Sequence, residues 1–373
     1  MVDKNKIHLN TQSELSMKGA GYYSKKTIGA KIAIDSLQYL ITDAVSNMTE
    51  SNFLRFADFG SADGGTSQEL WYNLIKSIRA RGDQRPIEII YTDLASNDFS
   101  TLFKTMQGMG QNTDFAYQEE FENVYVHACG TGFHRQLVTS RTLSLGFSAT
   151  AMHYVSEKPC QILEHVHMVG ASEPEREKFK RQALKDWEAI LRARANELVP
   201  GGRFICINFG IDENERYLGN TGANSMFESF NRHWRDHLDN GIITEEEFIS
   251  ATFPQHYRTV TEFSRPFIGN DCLANEIGLK LNKCFTKLTK CPYQQQFKNN
   301  KKIVSPTEFA KDFIPTVRSW SETVFRSALK GRTCMEADNI IESFYKNYEN
   351  EVVSNPSDHS MDYVHIVMEI ERI

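Results

Sequence analysis

The chain has 373 residues, of which 40% are apolar, 24% charged and 11% aromatic. This composition is that of an ordinary globular protein, which excludes disordered, collagen-like and low-complexity chains. The 42 Lys and Arg against 48 Asp and Glu give a net charge of −6, which argues against a nucleic-acid-binding protein. At about 150 residues per domain, the length fits one large domain or two modest ones.

No stretch approaches the roughly 20 consecutive apolar residues that a membrane-spanning helix needs, so we expect no membrane span. The opening segment Met1–Gln12 is polar and lacks the apolar centre of a secretory signal, which favours a cytoplasmic protein. The seven cysteines form no Cys-x-x-Cys pair and are odd in number, so neither a disulfide framework nor a zinc site is expected. His165 and His167 are interpreted as packed or surface groups rather than metal ligands.

The first half of the chain predicts two consecutive βα units. Apolar residues recur at helical spacing over 31–48, which indicates an amphipathic helix. A strand over Phe53–Phe59 leads into a glycine-rich turn and a helix over 68–81. The β-branched run 87–92 is a second strand, with another helix expected after Asn97-Asp98. Two such units in sequence imply a parallel sheet.

The remaining elements extend the sheet and add a helical region. A long charged amphipathic helix is predicted over 173–198, ending at Pro200-Gly201-Gly202. The predicted strands are 124–127, 143–148, 203–209 and 363–370. We interpret residues 212–350 as a mainly helical substrate-binding cap inserted into an α/β core formed by residues 1–211 and 351–373. Aromatic residues that could line a pocket beneath it are Phe227, Phe230, Trp234, Phe263, Phe267, Phe313 and Trp320.

The turn after Asp58 places Gly60, Gly64 and Gly65 where a nucleotide would approach the backbone at the carboxyl end of a strand. Their spacing matches neither the dinucleotide fingerprint nor a phosphate-binding loop, so a purely structural turn is the alternative. Asp93 ends the next strand, where a carboxylate can accept hydrogen bonds from a ribose diol; the alternative role is a helix cap. A nucleoside without phosphates fits this pair best, and S-adenosylmethionine (SAM) is such a nucleoside.

The segment Gly132–Pro159 carries the most specific pattern. Phe133, Leu137, Thr142-Leu143 and Met152–Ser156 match, without a gap, the motifs Ser-Phe-Tyr-Gly-Arg-Leu, Ser-Leu and Leu-His-Trp-Leu-Ser. The segment therefore resembles the SABATH family of SAM-dependent methyltransferases, which methylate small carboxylic acids and, in some branches, ring nitrogens. The resemblance implies an α/β fold: a class I methyltransferase Rossmann-like sheet with a helical cap over the active site.

Four further segments resemble family motifs and stand in the family's order along the chain. Asp58–Gly64 is similar to Asp-Leu-Gly-Cys-Ser-Ser-Gly, and Thr92–Leu94 to Asn-Asp-Leu. Leu198–Arg203 looks like Val-Pro-Gly-Gly-Arg. Met17–Gly21, together with Tyr23 and Thr27, resembles the N-terminal segment that closes over cofactor and substrate.

Carried over by position, the resemblance implies a set of residues for each ligand. Asp58 and Gly60 would line the methionine end of SAM, or of its product S-adenosylhomocysteine. The other implied cofactor contacts are Asp93 and Leu94 at the ribose and adenine edge, Gly132 and Phe133 at the adenine, and Ser148, Tyr23 and Thr27. The implied acceptor contacts are Lys18, Thr150, His153 and Tyr154, the last two being the implied catalytic pair that hydrogen-bonds the acceptor carboxylate.

The departures from the family pattern predict a reshaped acceptor pocket. Tyr154 stands where the family has Trp, which keeps an aromatic wall but changes the donor from an indole NH to a phenol. Thr150 replaces a Tyr, and Gly29 or Ala30 falls where a Gln would contact substrate. The family's Asn-Lys-Gly segment, to which an occasional magnesium contact belongs, is replaced by 165–170, so no metal is expected.

Together, these features predict a SAM-dependent carboxyl methyltransferase that acts on a small, largely apolar acid. A carboxylate with a pKa of about 4 is already ionised at neutral pH, so alignment of the reactants is required rather than a general base. An N-methyltransferase of the same family and a non-catalytic cofactor-binding relative remain the alternatives. The acidic charge balance and the expected cap disfavour a protein or RNA acceptor. A homodimer is possible by analogy with the family.

Overall fold

The computed structural model describes residues 27–46, 48, 52–109, 114–300 and 304–373. Lys18 and Tyr23 lie outside these residues. The strands are β1 (Leu54–Phe59), β2 (Ile87–Asp93), β3 (Val124–Gly130), β4 (Leu143–Ala149), β5 (Leu198–Ile211), β6 (Arg258–Thr259), β7 (Leu279–Thr289) and β8 (Tyr363–Arg372).

Helices cover both faces of the sheet and one end of it. They are α1 (Ile28–Asp35), α2 (Gln38–Ser46), α3 (Gln68–Ala80), α4 (Phe99–Met106), α5 (Tyr117–Glu120), α6 (Glu173–Glu197), α7 (Met226–Asp239), α8 (Glu245–Ser250), α9 (Val260–Ser264), α10 (Leu273–Ile277), α11 (Pro292–Asn299), α12 (Pro306–Ala328) and α13 (Cys334–Ser354). The helix expected over 31–48 is two helices, because the chain makes a turn at Ser36-Leu37 between α1 and α2.

The described strands pair in the order β3-β2-β1-β4-β5-β8-β7, with the short β6 alongside the end of β5. Strands β1 to β5 run parallel to one another, whereas β8 is antiparallel to both β5 and β7. The chain proceeds outward from β1 to β3 and then returns to place β4 on the other side of β1. Ligands bind open α/β sheets at such a reversal, outside the carboxyl ends of the strands. The predicted parallel sheet is therefore confirmed, and the reversal locates its binding edge.

Large aromatic side chains pack on each face of the sheet. Trp71 of α3 stacks on Phe56, with ring centroids 5.8 Å apart. On the opposite face, Trp187 of α6 lies 6.5 Å from Phe204. Successive residues of a strand point to opposite faces, so each strand contributes to both hydrophobic layers. Helices on both faces explain why β1, β4 and the second half of β5 are almost entirely buried.

Residues 212–350 include most of a second, helical layer at the carboxyl edge of the sheet. Phe325 of α12 packs against Phe344 of α13, with centroids 4.4 Å apart, and against Phe230 of α7 at 5.6 Å. This aromatic core is separate from the two sheet layers and agrees with the mainly helical character expected there. Along the described residues, no helix has the length and apolar character needed to cross a membrane.

One part of the region interpreted as cap belongs instead to the sheet. Strand β7, which the sequence analysis did not predict, pairs along its length with β8 and forms one edge of the sheet. Its charged residues Lys280, Lys283 and Lys287 obscure the apolar alternation expected of a strand. Lysines are common on edge strands, where they discourage pairing with other chains. Phe263 likewise packs against Trp187 in a sheet layer rather than in the helical one.

Candidate active site

Asp58, at the end of β1, is a buried carboxylate at the binding edge of the sheet. Its Oδ2 accepts hydrogen bonds from the Ser67 hydroxyl at 2.6 Å and from Trp71 Nε1 at 3.1 Å. Both donors come from the start of α3, so the helix that follows the glycine-rich turn fixes the carboxylate. Burial raises the pKa of Asp58 to about 6, because the charged form loses water.

Gly60 occupies the turn after β1 for two separate reasons. Its φ is +81°, a left-handed conformation that side-chain-bearing residues rarely adopt. A Cβ at this position would also lie 2.3 Å from the Cβ of Ala151, in the loop after β4. The turns after β1 and β4 therefore approach each other closely, as a ligand site at the strand reversal requires.

Asp93, at the end of β2, connects the two turns beside it. Its Oδ2 accepts from the backbone N–H of Ala62 at 2.7 Å, and its Oδ1 from that of Leu94 at 2.8 Å. Each oxygen keeps a further lone pair for a diol. Burial raises its pKa, and nearby Asp63 adds to the effect. The helix-cap alternative is wrong for Asp93, because Asp98 caps α4 by accepting from the Thr101 N–H at 3.0 Å.

The loop after β3 brings Gly132 and Phe133 to the same place. A Cβ on Gly132 would lie 3.6 Å from Leu94 Cδ2, and a Cβ on Gly60 would lie 3.7 Å from Phe133 Cε1. Gly132 is therefore a neighbour of Leu94, and Phe133 a neighbour of Gly60, at the strand ends. Arg194 of α6 holds this loop by donating to the backbone carbonyl of Phe133 at 3.0 Å.

Ser148, near the end of β4, is buried, and its hydroxyl donates to the backbone carbonyl of Phe59 at 2.8 Å. The side chain thus links β4 to the end of β1. This bond uses the hydroxyl proton, so any further contact of Ser148 must be as a hydrogen-bond acceptor.

A cavity lies beside the turn that follows β4. Of the residues expected at the acceptor or in the closing segment, Thr27, Thr150, His153 and Tyr154 line it, and so does Ala30. The remaining lining residues were not predicted, apart from Trp320: they are Phe209, Leu218, Gln255, Tyr257, Met361 and Tyr363. The other six cap aromatics named from the sequence do not line it, because they pack within the apolar core or against the sheet.

Thr150 has a φ of +53°, which is unusual for a β-branched residue and costs free energy. Its backbone N–H donates to the Ile207 carbonyl at 2.7 Å, so pairing with β5 sustains the conformation. The turn at Thr150 leads directly into Ala151, which contacts Gly60, and then into His153 and Tyr154. The strained residue therefore lies between the two groups of predicted site residues.

His153 is buried among aromatic rings, 4.6 Å from Tyr154 and 4.9 Å from Phe209 between centroids. Its Nδ1 lies 3.4 Å from Asn208 Oδ1. Burial lowers the pKa of His153 to about 3 because the imidazolium would be desolvated. The imidazole is neutral at physiological pH and has one N–H, which is available to a ligand in the tautomer protonated at Nε2.

The cavity lining contains no Lys, Arg, Asp or Glu among the described residues. Its polar groups are hydroxyls, an imidazole and an amide. The Tyr257 hydroxyl is buried and has no hydrogen-bond partner in the described part of the chain, and the same holds for Gln255 Oε1. Buried polar groups without partners are costly, and a ligand is one way to satisfy them.

His165 and His167 are both buried near the active-site cavity, and the ring of His167 stacks on Phe227 with centroids 3.8 Å apart. The His167 N–H lies 3.0 Å from His165 Nδ1. In the ranges that the structure describes, no group of three or more His, Cys, Asp or Glu residues is arranged to hold a metal ion.

Comparison with known proteins identifies the family of this chain. The family model described as SAM-dependent carboxyl methyltransferase matches residues 12–373, which is nearly the whole chain. This chain belongs to that family. The resemblance seen in its motifs is confirmed, and so are dependence on SAM and the chemistry of carboxyl methylation.

Two plant members of the carboxyl methyltransferase family are similar in sequence. Loganic acid O-methyltransferase from Catharanthus roseus is 24% identical over 276 residues, which cover 68% of this chain and 71% of the relative. Indole-3-acetate O-methyltransferase 1 from Arabidopsis thaliana is 24% identical over 289 residues, covering 70% and 74%.

A solved structure of loganic acid methyltransferase with S-adenosylhomocysteine superposes with a TM-score of 0.70, covering 95% of this chain and 98% of that one at 19% identity. This likeness confirms the class I methyltransferase-like α/β fold expected from the sequence.

Proposed function

We propose that this methyltransferase esterifies the carboxylate of a small, largely apolar monocarboxylic acid, which it binds in the cavity beside His153. The observation that carries the proposal is the character of that cavity. It lies beside the turn after β4, where Ala151 packs against Gly60 at the end of β1, its walls are largely aromatic, and its described lining carries no charged side chain. A second charge on the acceptor would be buried there without a partner, which is costly.

The strand-end residues fit SAM chemically. Asp58 supplies a buried anion for the amino group of the methionine end, and Asp93 supplies acceptors for the ribose diol. Gly60 packs directly against Ala151, so its backbone lies at the strand end with no side chain between the two turns. Leu94 and Phe133 give apolar contacts for the adenine. Gly132 and Ser148 complete this set, and Tyr23, outside the described residues, stays a prediction with them.

Neutral donors are proposed to hold the acceptor carboxylate. His153 offers one N–H, and the hydroxyls of Tyr154 and Tyr257 offer two further donors at the same cavity. Thr27 and Thr150 line the cavity as well and would contact the same acceptor. Lys18, which lies outside the described residues, stays a prediction as a further contact.

Rate enhancement is proposed to come from alignment and exclusion of water. When bound, SAM supplies an electrophilic methyl group on a sulfonium. The acceptor carboxylate is already ionised at neutral pH, so no residue needs to remove a proton. The chain's contribution is to hold the carboxylate oxygen in line, an effect that can supply about 7–11 kcal/mol. Neutral His153 suits this role, because an imidazolium would hold the carboxylate more tightly and lower its nucleophilicity.

The coarser arrangement of the protein is also proposed. The helices within 212–350 would form the acceptor-binding cap, to which Trp320 and Leu218 contribute lining residues. The core would comprise 1–211 and 351–373, with β7 added to it. A cytoplasmic location and a homodimer are proposed by analogy with the family.

The test combines binding and transfer. Isothermal titration with SAM and S-adenosylhomocysteine is compared between the wild type and Asp93→Ala, and labelled methyl transfer is then screened over monocarboxylic acids, dicarboxylic acids and azoles. Micromolar SAM binding that is lost in the variant, with label in base-labile esters of apolar monoacids, supports the proposal. Label in azoles would identify an N-methyltransferase, and absence of binding by either nucleoside would identify a non-catalytic relative.

A further inference from the structure

The segment Gln255–Arg258 presents its side chains alternately to two different cavities. Gln255 and Tyr257 line the acceptor cavity, whereas His256 and Arg258 line a second cavity of about 260 Å³. This period of two is that of an extended chain. Backbone bonds keep the segment extended, since Gln255 bridges Tyr154 and the His256 N–H donates to the His153 carbonyl at 2.9 Å. The second cavity therefore lies behind the acceptor-binding residues.

Arg258 is a buried cation at this second cavity and forms no ion pair with a carboxylate among the described residues. Its guanidinium donates to two backbone carbonyls, that of Met152 at 3.0 Å and that of Ala183 at 2.5 Å. Its Nε is buried and has no hydrogen-bond partner in the described chain. Asp186 and Glu262 act on it electrostatically without hydrogen-bonding to it, and burial lowers its pKa to about 10. Buried charges are normally paired, so this guanidinium lacks an anion.

Two further cations surround the same cavity. Arg265 is exposed, its side chain forms no hydrogen bond or ion pair with any described residue, and Lys180 of α6 also contributes to the lining. Glu262 is the carboxylate of the lining, and other groups already engage it. It accepts from the Thr259 N–H at 2.9 Å in a capping box, and lies 3.5 Å from His256 and 3.9 Å from Lys180. The lining thus has three cations and one anion.

We propose that this second cavity is a binding site for a small oxyanion, either a phosphate group or a small carboxylate, distinct from the methyl-transfer site. Guanidinium groups recognise both of these anions through paired N–H donors. Arg258 supplies the buried donor, and Arg265 and Lys180 supply charge at the rim.

The site can be tested without methyl transfer, by titrating the full chain with inorganic phosphate or with succinate. Chloride at matched ionic strength serves as the reference, because general screening affects all three salts alike. The double variant Lys180→Gln/Arg265→Gln removes the exposed rim charges and leaves buried Arg258 intact for folding. Arg181→Gln, on the same helix and outside the lining, is the matched control. Binding is followed by calorimetry and by the shift in Tm.

We expect saturable binding of at least one of the two anions, weakened about tenfold or more in the double variant and unchanged in the control. Preference for phosphate or for succinate would identify the class of natural ligand. The proposal is overturned if neither anion shifts Tm beyond chloride, or if the double variant binds as tightly as the wild type. Because SAM and acceptor are absent from this assay, its result is independent of the proposed function.

Discussion

Arg194 and Glu197 form a fully buried ion pair at the end of α6, with Arg194 Nε 2.6 Å from Glu197 Oε2. Arg194 also donates to the carbonyls of Phe133 and Arg135, and Glu197 accepts from the backbone N–H of Leu137 at 2.5 Å. Both members of the pair therefore hold the loop that carries Phe133, because Arg194 donates to its carbonyls and Glu197 accepts from its backbone N–H. The position of the proposed adenine contact depends on a helix outside the SAM motifs.

Replacing Arg194 with Met should lower the free energy of unfolding by about 3–5 kcal/mol, because Glu197 would be left as an unpaired buried charge. SAM affinity should fall about tenfold as the loop loosens. The control is Arg192→Met, on the same helix as Arg194. It breaks an exposed ion pair with Glu276 and should lower the free energy of unfolding by less than about 1 kcal/mol. Denaturant unfolding and SAM titration measure both effects. Unchanged SAM affinity in a destabilised Arg194→Met protein would show that other contacts position the loop.

Gly60 and Gly82 separate backbone strain from close approach, because both have a φ of +81°. A Cβ at Gly82 would meet no atom within 4 Å, whereas one at Gly60 would meet Ala151. Gly82→Ala should therefore cost only the left-handed conformation, about 1–2 kcal/mol. Gly60→Ala should cost about 1–3 kcal/mol more through overpacking and should abolish SAM binding. Equal effects of the two substitutions on SAM binding would contradict the proposed cofactor site.

SAM affinity should decrease as the pH falls through the pKa of Asp58, about 6 in the free protein. The amino group of SAM stays cationic over this range, so protonating Asp58 removes its partner and should weaken binding about tenfold by pH 5. Stability changes in the opposite direction. A carboxyl whose pKa is raised by folding favours the folded state at low pH, and this contribution is lost as the pH rises through 6. SAM titrations from pH 5 to 8 measure the change in affinity, and this pH dependence should disappear in Asp58→Asn.

Tyr257→Phe should separate stability from activity. Removing a buried hydroxyl that has no partner should leave the free protein equally stable or raise its free energy of unfolding by about 1 kcal/mol. The KM for the acceptor acid should rise, because one proposed carboxylate donor is lost. Tyr117→Phe is the control, since it removes a buried hydroxyl that is bonded to that of Tyr91 at 2.8 Å and does not line the acceptor cavity. That protein should be less stable with an unchanged acceptor KM. An unaltered KM in Tyr257→Phe would exclude this residue from carboxylate binding.

The strands with uninterrupted apolar runs were predictable from the sequence. The expected bounds of β2, β4 and β8 agree with the structure within three residues at each end, because buried strands admit few polar side chains. β7 could not be recognised, since its exposure at the sheet edge permits lysines between the apolar positions. The break between α1 and α2 was missed because the apolar periodicity continues across it.

The motifs predicted which residues surround the strand ends, but only part of the acceptor cavity. Met361 and Tyr363 reach the cavity because β8 is antiparallel, so that its beginning lies beside the ends of the parallel strands. Nothing in the local sequence gives the direction of that strand. The same geometry explains why a Gln, as the family pattern has it, does not fit at Gly29, because a Cβ there would lie 2.1 Å from the Tyr363 ring. Ala30, which lines the cavity, is the residue through which pocket size can be changed there.

The alternation of side chains over Gln255–Arg258 also limits how the length of this chain can vary. Deleting one residue between α8 and Gln255 would shift the pairing with 153–155 and exchange the side chains that face the two cavities. Arg258 would then be directed at the acceptor and Tyr257 away from it. By contrast, the turns at Gly241 and Gly269 have open space around them. Natural or engineered insertions should therefore collect at those two turns and be absent between Ala251 and Arg258.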